Sequence, residues 1–280
     1  MFTLLNALFA VSTIISAHSL VDNSLKPTTQ FKKLLEVTNI KDGDLQFLVD
    51  QTQKKYLRKP GTERWDIDNA DAKNHDAIRQ ALKDLDYLDE ISPAQEEYDY
   101  IVLFGALAAR IKQRLEYLIE LLKDGIKTKK IIVLGSERPA NKEFESAAKL
   151  SELFGREVSE DEKHTEYTIM KELVENSELK DMGIEIEYYS APNHADGSRA
   201  NTADTVELWM KSEPKAGSVL CISNQPYIWY QHEVARSLLP NTFEIESCGS
   251  KISESTNDGT ILDSVARELY QFNKRINSKK

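Results

Sequence analysis

The sequence predicts an α/β protein: a doubly wound, mostly parallel five-stranded sheet with a helical region in front of it. Three observations carry this prediction. Five short β-rich apolar runs follow Asp99: "YIVLFG" (100–105), "KIIVLGS" (130–136), "IEIEYYS" (184–190), "SVLCIS" (218–223) and "TFEIES" (242–247). Segments with apolar residues three and four apart lie between them, so strand and helix alternate as in βαβ units. The first, second and fourth runs are almost continuously apolar, as strands covered on both faces are, and are expected at the centre of the sheet. Right-handed crossovers then place the first strand in the middle and the fourth beside it across the switch point.

Each element can be justified in order. Residues 1–20, "MFTLLNALFAVSTIISAHSL", resemble a secretory signal or a membrane anchor. Small residues at Ala17 and Ser19 suit cleavage after Ser19, but no Lys or Arg precedes the apolar run. The alternative is a first helix packed on the domain. Residues 21–97 read as helices without a convincing strand; Ile78, Ala81, Leu82, Leu85 and Leu88 make one buried stripe. Between helices, "LRKPGTERWD" carries Arg58, Lys59 and Arg64 beside Trp65 around a Pro60-Gly61 turn, either a lid over a site or a solvated connector. Residues 98–280 form the α/β domain. An additional helix, "EFESAAKLSELFG", ends at Gly155, and a last helix with Ile261, Leu262, Val265, Leu269 and Phe272 closes one face.

Composition narrows the function. With 36 Lys+Arg against 46 Asp+Glu and no basic run interleaved with aromatics, a nucleic-acid surface is not expected. The two cysteines, Cys221 and Cys248, provide neither a disulfide framework nor a metal spacing, and Cys221 reads as a small buried hydrophobe. No Gly-x-Ser-x-Gly elbow, Walker loop or Gly-x-Gly-x-x-Gly turn occurs, which disfavours a nicotinamide dehydrogenase or an ATPase and leaves any cofactor unknown.

The carboxyl ends of parallel strands share one edge, where ligands bind. That edge receives Gly105 and Arg110 after the first strand, and Ser136, Glu137 and Arg138 after the second. The loop 191–201 follows the third, and Ser223, Asn224 and Tyr227 come at and after the fourth. Arg110, Arg138 and Arg199 suit bidentate contact with phosphate or carboxylate, and the helix start at Asn201-Thr202 attracts the same charge; a small anionic ligand is the expected partner. The ordinary structural explanation for each arginine is an ion pair. Asn201 and Thr202 are both suited to cap the helix. Glu166, near a helix start, and His194 are candidate acid or base residues, or else plain surface residues. His194-Ala-Asp196 offers two ligand types in one turn and no third, so no metal is expected. His75 and His164 read as exposed, His232 as structural.

The order of these features resembles the YdcF/SanA-like family of α/β domains over roughly residues 98–240. The resemblance rests on "YIVLFG" followed by Arg114-Leu115, on "IIVLGS", on Glu166 opening a helix, on "SRANTADT" and on "VLCISNQPY". Gly105, Arg114, Ser136, Glu166, Asn201, Thr202, Ser223 and Asn224 match or nearly match the family pattern. Asp204 and Thr205 stand where it has Glu and Asn, Gln225-Pro226-Tyr227 replaces a Tyr-His pair, and the arginine that follows has no clear counterpart unless Arg236 or Tyr230 replaces it. The resemblance implies a Rossmann-like fold, a phosphorylated or nucleotide-like ligand and, for SanA-like members, a membrane-anchored life at the cell envelope. The expectation is therefore a ligand-binding domain, exported or tethered through residues 1–20 or else cytoplasmic. A hydrolase or transferase using Glu166 or His194, and a non-catalytic interaction protein, are the alternatives.

Overall fold

The computed structural model describes residues 18–58 and 74–278. At its centre lie five strands, β1 (Glu97–Phe104), β2 (Lys127–Ser136), β3 (Glu185–Ala191), β4 (Ser218–Asn224) and β5 (Glu244–Ser250). All pairings are parallel and the order is β3-β2-β1-β4-β5. The three continuously apolar runs are the three inner strands, with β1 central and β4 next to it, as expected.

The packing explains why those runs do not alternate. Ile101, Leu103, Ile131, Val133, Leu220 and Ile222 enter one core, with α4 (Ala108–Lys123) and α6 (Glu166–Glu175). The residues between them, Val102, Phe104, Ile132, Leu134, Val219 and Cys221, enter the opposite core, with α7 (Thr202–Met210) and α8 (Ile228–Leu238). Successive strand side chains point to opposite faces, so two covered faces require apolar residues at every position. The additional helix is α5 (Ala147–Phe154), ended by Gly155 in the left-handed conformation at φ 67°.

A third core joins α8 and the last helix, α9 (Asp258–Asn277), to α1 (Thr29–Val37), α2 (Leu45–Tyr56) and α3 (His75–Asp84). Nearly every residue of the first half of α9 is buried, because the sheet-side helix α8 and the N-terminal helices cover it from both sides. The stripe from Ile78 to Leu88 does not belong to a single helix: α3 ends at Asp84, and Asp86 turns the chain with φ 57°. Ser19, the expected last residue of a cleaved leader, follows a side chain that belongs to the fold. The His18 ring stacks on Trp229 at 4.0 Å, and its Nε2 lies 2.8 Å from Oε1 of buried Glu268, which also accepts from the Tyr87 hydroxyl. Cleavage after Ser19 would remove that ring. Most of residues 1–20 lies outside the described residues. Among the described residues, no helix is long and apolar enough to cross a membrane.

His232 on α8 is structural. Its Nδ1 lies 2.9 Å from the Ser247 hydroxyl, and burial, with the nearby charges of Arg236, His18 and Arg275, pushes its pKa down to about 3. The unfolded chain takes up this proton near pH 6.5 while the folded chain does not, so stability falls as the pH drops from there toward 3. The expected slope is at most about 1.4 kcal/mol per pH unit. Urea unfolding at pH 7 and pH 5 should show His232→Gln losing less stability than the wild type over that interval.

Candidate functional site

At the switch point the neighbouring strands β1 and β4 send their chains to opposite faces, and their pairing ends at Leu103–Ile222, short of the end of β1, where the carbonyls of Phe104 and Gly105 take other donors. Arg114 of α4, 2 % exposed, supplies them: Nη1 donates to the carbonyls of Phe104 (2.9 Å) and Gly105 (2.8 Å), and Nε donates to Oδ1 of Asn224 at the end of β4 (2.7 Å). Arg114 and Asn224 are thus joined in one structural clamp.

Glu166, the first residue of α6, reaches over Gly105. A methyl group on Gly105 would come within 2.7–2.9 Å of the Glu166 carboxyl, so glycine is what allows this approach. The Ser136 hydroxyl donates to Oε2 of Glu166 at 2.6 Å. Burial raises the Glu166 pKa above the ordinary carboxylate value, against the opposing effects of Arg138, the Ser136 hydrogen bond and Arg114. About 13 % of the side chain remains open.

Arg138 is bound to Glu145, which is 3 % exposed. Nη1 lies 2.8 Å from one carboxylate oxygen and Nη2 3.1 Å from the other, and the guanidinium also donates to the carbonyls of Pro139 and Ala106. Glu145 further accepts from the backbone N–H of Ala108, at the start of α4, and of Asn141. The ion-pair explanation therefore applies to Arg138. Arg110 differs: Nη1 donates to the Tyr227 hydroxyl at 2.5 Å, the guanidinium lies 4.8 Å from the centre of that ring, and no carboxylate is within ion-pair reach among the described residues.

Between these groups lies a cavity of about 820 Å³. It is bounded by Gly105, Arg110, Arg138, Glu166, Arg199, Asn201, Thr202 and Tyr227 among the residues the sequence pointed to. Its described lining contains seven cationic side chains, Arg58, Arg110, Arg114, Arg138, Lys149, Arg199 and Arg267, and a single carboxylate, Glu166. A shallower hollow of about 570 Å³ on the β3 side, lined by Glu137, Tyr167, Tyr188 and small polar residues, has no cation in its lining.

Four of the expected residues stand apart from the cavity wall. Ser136 is buried behind Glu166, Ser223 is fully buried with its hydroxyl on Gln231, and Asn224 holds Arg114. His194 is exposed, its Nε2 3.1 Å from Asp204. Asn201, not Thr202, caps α7: its side chain accepts from the Ala203 N–H at 2.8 Å, and Asp204 accepts from the Asn201 N–H at 2.7 Å. Thr202 is the first helical residue. Because α7 already has an acid in its first turn, the cationic side chains carry more of the cavity's positive character than this helix end does.

Other cavity residues are not legible in the strand-by-strand reading. Ser255, Thr256, Asn257 and Thr260 come from the segment after β5, and Arg267 from α9, where it pairs with Asp263. The signal was available, since a Ser/Thr-rich stretch after the fifth strand leads into an Asn-capped helix on the same edge. Arg58 lines the cavity, while residues 59–66 of the expected lid lie outside the described residues.

Arg138→Ala leaves the buried Glu145 carboxylate without its partner, and should cost about 3–5 kcal/mol in denaturant unfolding. Arg110→Ala, whose partner is a phenol, should cost far less; similar losses for the two would contradict these assignments. No protein-family model and no curated protein sequence matches the chain.

Proposed function

We propose that this protein binds a small anionic ligand, phosphorylated or nucleotide-like, in the 820 Å³ cavity at the carboxyl edge of the sheet. One observation carries the reading: a chain of net charge −10 surrounds this cavity with seven cations and one carboxylate. Two of these cations already face carboxylates, Arg138 on Glu145 and Arg267 on Asp263, and the density of guanidinium groups around one space suits an incoming anion. Arginines suit the planar oxygens of phosphate and carboxylate, and Tyr227 and Tyr230 offer ring faces and hydroxyls beside them. The resemblance to YdcF/SanA-like domains implies the same ligand class.

A second reading, a hydrolase or transferase, is favoured by Glu166. A carboxyl whose pKa is raised and which opens onto a cationic cavity is suited to hold a proton and give it to a leaving group. His194, exposed and outside the cavity lining, is less well placed for that role. Residues 1–20 are proposed to direct export or tethering at the envelope, a reading supported by their apolar composition. Mass spectrometry of the natural protein tests it, and an intact Met1 on a cytosolic chain would overturn it.

A thermal-shift screen of nucleotides, sugar phosphates and dicarboxylates should give saturable stabilisation by phosphorylated compounds. With the best hit, Arg110→Ala and Arg199→Ala should each weaken binding at least about tenfold, about 1.4 kcal/mol. Asn201→Ala should cost about 0.5–2 kcal/mol of stability through the lost cap. Normal binding by both arginine variants would sink the proposal. Turnover of the hit that disappears in Glu166→Gln would establish the enzyme reading, whereas binding without turnover would leave a binding domain.

A further inference from the structure

The chain leading into α6 gathers a second set of groups, away from the cavity lining. One carboxylate oxygen each of Glu162 and Glu172 and a ring nitrogen of His164 lie within 4.8 Å of one another. His164 is only 9 % exposed, held inward where its carbonyl accepts from the Ala140 N–H and where Pro139 bridges Thr165. Its Nε2 lies 3.1 Å from Oε1 of Glu162 yet forms no hydrogen bond of acceptable geometry. A buried nitrogen in that state is costly unless some other group takes its lone pair.

The two carboxylates already attract a cation. The Arg156 guanidinium donates to both, at 2.5 and 2.9 Å to Glu172 and at 2.6 and 3.1 Å to Glu162. Its side chain is 41 % exposed, so the guanidinium can turn into water when a divalent ion takes its place between the carboxylates. Arg156 answers the carboxylate charge and leaves the imidazole nitrogen unanswered.

We propose that Glu162, His164 and Glu172 form a binding site for a zinc-type divalent metal ion, which displaces Arg156. One imidazole nitrogen with two carboxylate oxygens suits zinc and its transition-metal neighbours, whereas calcium and magnesium favour oxygen-only sets. Ligands on a tetrahedral zinc stand about 3.4 Å apart at its usual bond lengths. The present 4.8 Å spread closes by rotation of two glutamates once the guanidinium leaves. The bound ion ties the segment 156–165 to α6, whose first residue, Glu166, enters the main cavity. The site stands independently of the anion-binding reading.

The test uses the full chain, freed of metal by dialysis against a chelator and then titrated with zinc by calorimetry and with cobalt(II) by visible absorption. One equivalent should bind, with a cobalt spectrum showing nitrogen ligation and low coordination number. His164→Gln and Glu172→Gln should each weaken binding at least tenfold, while His194→Gln and His75→Gln should not change it. Arg156→Ala should strengthen binding several-fold, because a competing cation is removed. Circular dichroism establishes that each variant is folded, and Glu172→Gln, at a partly exposed position, carries the test if His164→Gln does not fold. The proposal is overturned by the absence of stoichiometric binding, by binding indifferent to a folded His164→Gln or Glu172→Gln, or by weaker binding in Arg156→Ala. Each of those results would make the cluster an arginine-centred ion pair.

Discussion

Everything at the carboxyl edge depends on how the chain satisfies its backbone where β1 and β4 part. A parallel ladder meets the hydrogen-bonding needs of a strand only while its neighbour continues alongside. At the switch point it stops continuing, and the carbonyls of Phe104 and Gly105 need another donor. Arg114 meets this need from inside the protein and reaches Asn224 with the same guanidinium. Its planar fork of donors is what makes the arrangement possible, since a lysine has no second fixed direction in which to donate.

A second buried arginine extends the same logic. Arg138 and Glu145 join the loop after β2 to the start of α4, with Glu145 also taking an N–H that the first turn of α4 cannot use internally. The two clamps hold the walls of the cavity, and Arg110 and Glu166 then face a space whose shape is set elsewhere. Glu166 reaches its position because residue 105 has no side chain, and its raised pKa follows from being held there under partial burial. Glu166 therefore joins the fold of the edge to the chemistry the cavity can support.

The N-terminal helices act on this edge from behind. By covering α8 and α9 they bury the first turns of α9, and with them the segment that brings Asn257 and Thr260 to the cavity. Asp258, fully buried, accepts from Arg79 and lies 2.6 Å from Nδ1 of His75, both on α3, so the helical region is fastened to the rim of the cavity by charge as well as by apolar packing.

The sequence by itself determined the layering. Continuous apolar runs at β1, β2 and β4 read as strands covered on both faces, and together with the helical segments between them they give the central positions of these strands and the parallel sheet. Position after a parallel strand, a topological property visible in one dimension, also pointed to seven residues of the cavity wall, and a helix start pointed to Glu166. Tertiary structure decided what each side chain does there. Arg110 and Arg138 are the same residue type, each soon after the end of a parallel strand, yet one meets the phenol of Tyr227 and the other the buried carboxylate of Glu145. Asn201 and Thr202 were equally suited to cap α7, and backbone direction at the loop chose Asn201. His164, expected at the surface among acidic residues, is drawn inward because its carbonyl pairs with Ala140. Local sequence carries periodicity and propensity; which charge meets which partner is fixed only when the chain closes on itself.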